Sequence, residues 1–289
     1  MILPRVLQSL FRRSPAVYHN LGRCERGDLP GASHRTATGT IREVIRSPGA
    51  DLSLLDVIVP LRGADSGKSR LGLALDAEER EVLVLGLLGR TLEVIAAWPG
   101  ARRTYLVTND RHAGELARRA RPEITLVREP RHEGLNGALR AARDAALADG
   151  ATAVLMLPAD LPLLDSAALE RLLDAADAAV AAGNGRPIVV VAPADARGGT
   201  NALLVSPPAI VEPDFGEASL EAHLRAAAAA DASVQLVLEP AFGFDLDTPD
   251  DLERLDVESV LELERFGLAL LAHPTTPPTD SSPSPAGVG

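Results

Sequence analysis

Lys68 is the single lysine among 289 residues; every other side-chain cation apart from histidine is arginine. It lies in a loop bearing Gly63 and Gly67, between Arg62 and Arg70. A lone lysine there points to a place that needs a compact ammonium rather than a planar fork. A solvated basic turn is the plainer alternative, and a lysine on such a loop would contribute little to folding. Asp160 stands between Pro158 and Pro162, which stiffen the turn and fix where the carboxylate points. A carboxylate so held suits a hard divalent cation beside phosphates, or a helix cap. Asp245 and Asp247 are two residues apart. If Phe244–Asp247 is extended, both carboxylates share one face, where they repel unless a cation neutralises them. The residues that follow serve to start a helix, with Thr248 as N-cap, Pro249 at the first helical position and an acid two residues on. Asp160, Asp245 and Asp247 are therefore candidate Mg²⁺ ligands, and removing any one charge from that set should relieve repulsion.

Two further stretches have the composition of anion cradles. Gly198-Gly199-Thr200-Asn201 precedes an apolar run, and Phe215–Leu220 opens a helical pattern that carries His223. Gly216 and Ser219 fall at that helix N-terminus, where free N–H groups and the dipole favour an anion. Ordinary turn chemistry explains either stretch taken alone. Asn136, in Glu133–Ala138, has the chemistry to read a base edge or to cap a helix.

These residues must be positioned by regular elements, and the pattern supplies them from Leu55 onward. Short apolar runs at Val57–Leu61, Thr104–Thr108, Ile124–Arg128, Ala153–Leu157, Ile188–Ala192, Ala202–Val205 and Val234–Leu238 read as strands. Helical periodicity lies between most of them, at Glu78–Ala97, Ala113–Ala120, Leu135–Leu147, Ala167–Val180 and Ser219–Ala230. Alternation of this kind implies βαβ units, a mainly parallel sheet and helices on both faces. In such sheets ligands sit at the carboxyl ends of the strands, which is where Lys68 and Asp160 fall.

Asp51–Asp256 reads as one α/β domain, followed by an amphipathic helix over 257–272. Residues 1–50 hold eight arginines against three acids and lack a sustained period; they read as a disordered extension. Residues 273–289, with five prolines, read as a disordered tail. A span from Asp51 to Ala272 is expected to keep fold and activity. The net charge of −11 argues against a nucleic-acid partner. The one cysteine, Cys24, makes neither an internal disulfide nor a metal cluster and suits a reducing cytoplasm. No apolar run approaches the roughly 20 residues of a membrane span.

Taken in order, VP·R····GKSRL, GLNGAL, PADLPLL, GGTNALL, FGEASLEAH and DLDTPDDL resemble the CofC/FbiD guanylyltransferases of coenzyme F(420) biosynthesis, over about residues 55–256. That family is a branch of the molybdenum-cofactor-guanylyltransferase-like enzymes. The resemblance implies a three-layer α/β/α sandwich, a Rossmann-like nucleotidyltransferase of the GT-A type. It implies transfer of GMP from GTP to the phosphate of a three-carbon acid, with release of pyrophosphate. Phosphoenolpyruvate is the acid expected first, with 2-phospho-L-lactate and 3-phosphoglycerate as alternatives. By position, Lys68 and Arg70 would hold the GTP phosphates, with Asn136 near the nucleotide. Asp160, Asp245 and Asp247 would hold Mg²⁺, with Asp160 also catalytic beside Lys68 and Arg70. Thr200, Gly216 and Ser219 would hold the acid. Arg62 stands where the family often has lysine, and Asp247 where some relatives have Glu, which keeps the charge but shortens the reach. A P-loop phosphotransferase is the competing enzyme, but Gly63 and Gly67 are separated by three residues where that loop needs four. A non-catalytic nucleotide-binding protein is a third reading; it would not need all three carboxylates together.

Overall fold

The first strand, β1 (Leu55–Pro60), is buried along nearly its whole length, because it lies inside the sheet with helices on both faces. That is why it reads as a continuous apolar run rather than an alternating one. The structure is a computed structural model that describes residues 49–61, 68–128, 133–195 and 198–272. The expectations for 1–48 and 273–289, and those for Arg62, Gly63 and Gly67, concern residues outside the described ones.

Six more strands complete the sheet: β2 (Arg103–Val107), β3 (Thr125–Val127), β4 (Ala153–Met156), β5 (Ile188–Pro193), β6 (Thr200–Ser206) and β7 (Ser233–Leu236). Their order is β3-β2-β1-β4-β6-β5-β7. All are parallel except β6, which runs against both β4 and β5. Each strand read from the sequence is present, with ends moved by at most two residues.

The helices are α1 (Ala77–Ala97), α2 (Arg111–Ala120), α3 (Gly134–Ala148), α4 (Ser166–Ala182), α5 (Ser219–Ala229), α6 (Pro240–Gly243), α7 (Pro249–Arg254) and α8 (Val257–Ala272), with a short 3-10 helix at Ser69–Leu73. The alternation of the strands divides the core in two. On one face Leu55, Val57 and Val59 meet Leu85 and Leu88 of α1, Leu116 of α2 and Leu169 and Leu172 of α4. On the other, Ile58, Tyr105 and Val107 meet Leu139 and Ala142 of α3 and Ala227 of α5. This is the three-layer sandwich expected. Among the described residues no helix is long and apolar enough to cross a membrane.

A third cluster joins the C-terminal helix to the domain. Leu83 and Leu87 of α1 pack with Val260 and Leu263 of α8, and with Leu71, Leu246 and Leu252. The helix α1 is therefore buried on two sides, by the sheet and by α8. Two glycines permit the approach: a Cβ on Gly86 would lie 2.0 Å from the Leu263 carbonyl oxygen, and one on Gly267 2.0 Å from that of Val82. The C-terminal helix is thus part of the domain core rather than an appendage. Its cluster underlies both the Ser69–Leu73 helix, which carries Arg70, and Leu246, which lies between Asp245 and Asp247.

Candidate active site

Strand order reverses between β1 and β4, and the crevice beyond their carboxyl ends is the natural ligand site of an open α/β sheet. A cavity of about 580 Å³ lies there, lined by Lys68, Arg70, Asp160, Thr200, Gly216, Asp245 and Asp247 among others. The antiparallel β6 is what brings Thr200 to this rim. Its first residue pairs with Pro193 at the end of β5, so the start of β6 lies beside the carboxyl ends of the other strands.

At one end of the cavity Lys68 joins two carboxylates. Its Nζ lies 2.7 Å from Asp160 Oδ2 and 2.5 Å from Asp247 Oδ1. The lysine side chain is only 11% exposed, so the solvated-turn reading fails, as does the expectation that it matters little to folding. Lys68 has left-handed backbone angles, φ 58° and ψ 40°, a region that a side chain occupies at a cost. Asp160 and the Asp245–Asp247 segment are tied directly, because the Leu246 N–H donates to the Asp160 carbonyl at 3.0 Å. Leu246 is fully buried in the third cluster, and the acids either side of it line the cavity, as an extended segment requires. The capping expectation also holds. Asp251 Oδ2 accepts from the backbone N–H of Asp247 (3.1 Å) and Thr248 (2.8 Å), while the Thr248 side chain caps α7.

The electrostatics separate the three acids. Burial pulls Lys68 downward, but Asp160 and Asp247 outweigh it and the ammonium is held above its usual range. Burial pushes Asp247 upward, yet Lys68 overrides this and holds it below the usual carboxylate value. Asp245 is pushed up, first by burial and then by the charges of Asp160 and Asp247. Asp245 is thus the acid whose charge the described cations balance least. Among the described residues no three acids, histidines or cysteines stand close enough to ligate one metal ion without moving. The donor set nevertheless suits Mg²⁺, which commonly takes one or two carboxylates and completes its shell with phosphate oxygens and water.

Thr200, also on the cavity lining, is 5% exposed, and its Oγ1 lies 3.0 Å from His223 Nδ1. Ser219, unlike Thr200 and Gly216, does not line the cavity: it is buried at the start of α5, with an Oγ that has no hydrogen-bond partner among the described residues. A buried hydroxyl in that condition is costly unless a ligand satisfies it. The helix end itself is less open than expected. The Ser219 N–H donates to the Gly216 carbonyl and the Leu220 N–H to that of Gly198, so these two do not await an anion.

Asn136 is the clearest correction. Its Oδ1 accepts from the Phe215 N–H at 2.8 Å and its Nδ2 donates to the Phe215 carbonyl at 3.1 Å. It does not line the cavity. Its amide clamps the 215 loop rather than offering itself to a base.

Sequence reasoning missed Asp195 and Arg254, which also line the cavity, and gave no separate role to Asn201 and Glu217 within the two cradle stretches. Asn201 Nδ2 donates to the Phe242 carbonyl at 2.7 Å, and the Asp195 N–H to that of Gly243 at 2.8 Å. A Cβ at Gly243 would lie 2.2 Å from Asp195 Oδ1, so this approach needs glycine. Arg254 stacks 4.4 Å from the Phe244 ring centre. The one available signal was Asn201 standing beside Thr200; Arg254 reads as an ordinary charge on a helix surface.

The family model described as guanylyl transferase CofC-like matches residues 55–259. The chain belongs to this guanylyl transferase family. It is similar to the phosphoenolpyruvate guanylyltransferase of Rubrobacter xylanophilus, 40% identical over 201 residues, covering 69% of this chain and 92% of that protein. It is also similar to the 3-phospho-D-glycerate guanylyltransferase of Phenylobacterium zucineum, 35% identical over 208 residues, covering 68% and 88%. A solved structure from Desulfovibrio desulfuricans G20, assigned to the nucleotide-diphospho-sugar transferases, has a TM-score of 0.59 at 16% identity. It covers 75% of this chain and 96% of that one, and speaks for the fold. The guanylyl transferase is a nucleotidyltransferase, and the P-loop and non-catalytic readings fall away. Its family match ends within α8, although that helix continues to Ala272 under the active site.

Proposed function

We propose that this guanylyl transferase binds GTP and Mg²⁺ and joins GMP to the phosphate of phosphoenolpyruvate. The products are enolpyruvoyl-2-diphospho-5'-guanosine and pyrophosphate, serving coenzyme F(420) biosynthesis in the cytoplasm. The observation that carries this is Lys68, whose ammonium joins Asp160 and Asp247 at the wall of a cavity that Arg70, Thr200 and Gly216 also line.

The acceptor's phosphate oxygen is already ionised at neutral pH, so it attacks the α-phosphorus without a general base. The bond from that phosphorus to the bridging oxygen breaks, and pyrophosphate leaves. What the protein must do is hold two polyanions in line and offset their charge. Lys68 and Arg70 hold the GTP phosphates. Thr200, Gly216 and Ser219 hold the acid, through hydroxyl and backbone donors. One or two of Asp160, Asp245 and Asp247 would hold Mg²⁺, which would supply positive charge to the reacting and leaving phosphates.

The similarity to a 3-phospho-D-glycerate enzyme keeps that acid as a second reading. Comparing kcat/KM for phosphoenolpyruvate, 2-phospho-L-lactate and 3-phosphoglycerate, with products identified by mass, decides between them. The highest value is expected for phosphoenolpyruvate; a higher value for either other acid reassigns the acceptor.

A further inference from the structure

We propose that His223 is a positioning residue that acts through Thr200. It is held as the neutral imidazole with its proton on Nδ1, which turns the Thr200 hydroxyl proton into the cavity as a donor to an anionic oxygen. This rests on the reading that Thr200 meets the acceptor acid.

The argument begins at the Asp214 N–H, which lies 3.0 Å from His223 Nε2. A backbone amide can only donate, so Nε2 must accept and carries no proton. A neutral imidazole then has its proton on Nδ1, 3.0 Å from Thr200 Oγ1. Since Nδ1 donates, Oγ1 accepts. A hydroxyl has one proton and two lone pairs, and with Nδ1 ruled out as acceptor that proton is directed elsewhere. Among the described residues Oγ1 has no second partner, and Thr200 lines the cavity.

Neighbouring residues hold this arrangement. His223 is fully buried, and its ring meets the edge of Phe215 at 5.1 Å between centroids. The Asn136 amide fixes the Phe215 backbone from both sides, and with it the adjacent Asp214 N–H. The imidazolium would set an Nε2 proton against that N–H. Burial lowers His223 to about 4, against the opposing pull of the Asp214 charge, so the neutral form persists at working pH. Asn136, Asp214, His223 and Thr200 therefore form one relay from α3 to the cavity. Its consequence is selectivity: a hydroxyl committed as donor favours a ligand atom that can only accept, such as a phosphate or carboxylate oxygen.

The tautomer is read in the full-length protein from long-range proton–nitrogen correlations of ¹⁵N-labelled histidine, with His223 assigned by loss of its signals in His223→Phe. An unprotonated Nε2 and a protonated Nδ1 are expected; the opposite tautomer or the imidazolium at pH 7 overturns the proposal. Kinetics test the function. His223→Phe and Thr200→Val should each raise KM for phosphoenolpyruvate, or for 3-phosphoglycerate if that is the acceptor, by about tenfold. KM for GTP should stay within about twofold, and the double variant should be no worse than Thr200→Val alone. An unchanged acid KM in Thr200→Val refutes the assignment of Thr200 to the acid, and this proposal with it. A raised KM in Thr200→Val, with no change in His223→Phe or with fully additive losses, refutes only the role of His223.

Discussion

Lys68 Nζ and Asp160 Oδ2 lie 2.7 Å apart across 92 residues of chain, joining the loop after β1 to the loop after β4. Asp247 completes the contact from the far end of the domain. One ammonium thus fixes three segments at the switch point of the sheet. Replacing it leaves Asp160, Asp245 and Asp247 facing one another. Lys68→Met should lower stability by about 1–3 kcal/mol, less than for a fully enclosed pair because both partner acids keep some contact with water. It should also cut turnover by orders of magnitude. Thermal melting and initial rates check both; an unchanged melting temperature would mean that the two contacts do not hold in solution.

The three carboxylates should separate by sign. Asp245 is raised by burial and by its two acidic neighbours, so Asp245→Asn should leave the metal-free protein equally or slightly more stable. Asp160→Asn and Asp247→Asn remove a partner of Lys68 and should destabilise it. All three should weaken Mg²⁺-dependent stabilisation and turnover. Asp247 is held below its ordinary value, so the stability it contributes is present at neutral pH and is lost as pH falls through its folded pKa. Melting curves of each variant with and without Mg²⁺ provide the comparison.

His223 gives a second pH effect. It titrates near 6.5 when unfolded and at about 4 when folded. Between those values the unfolded chain binds more protons, so stability rises with pH across the window and its contribution is complete above about 6.5. The full effect is on the order of 3 kcal/mol. Denaturant midpoints from pH 4 to 7 should show this slope, and His223→Gln should flatten it.

Much of the fold could be read from the chain, because each strand of a sheet covered on both faces shows as a short apolar run between helical periods. The carboxylates of the site could be read too. Asp245 and Asp247 had no structural role left once Thr248 and Asp251 were assigned to the cap. What could not be read was the choice of tertiary partner. Nothing local distinguishes an Asn136 that meets a base from one that clamps Phe215, or a Lys68 in water from one between two acids. The role of α8 was hidden for the same reason: Gly86 and Gly267 gain meaning only when the two helices touch.

The helix contact has its own consequence. Gly86→Ala would place a methyl 2.0 Å from the Leu263 carbonyl oxygen, and should cost about 1–3 kcal/mol or more. A protein spanning Asp51–Ala272 should melt like the full chain, whereas one ending at Asp256 exposes the surface covered by Val260 and Leu263. It should melt far lower and lose activity, since Leu246 packs in the same cluster. Equal melting of the two would show that α8 is dispensable.

The most direct measurement follows the phosphorus atoms of GTP. With Mg²⁺ and phosphoenolpyruvate, label in the α-position should pass wholly into the guanosine diphosphate ester of the acid, and label in the γ-position into pyrophosphate. Neither should move in the absence of the acid. Transfer of γ-label to the acid, or its release as orthophosphate, would mean phosphotransfer or hydrolysis and would contradict guanylyl transfer to the acid at this site.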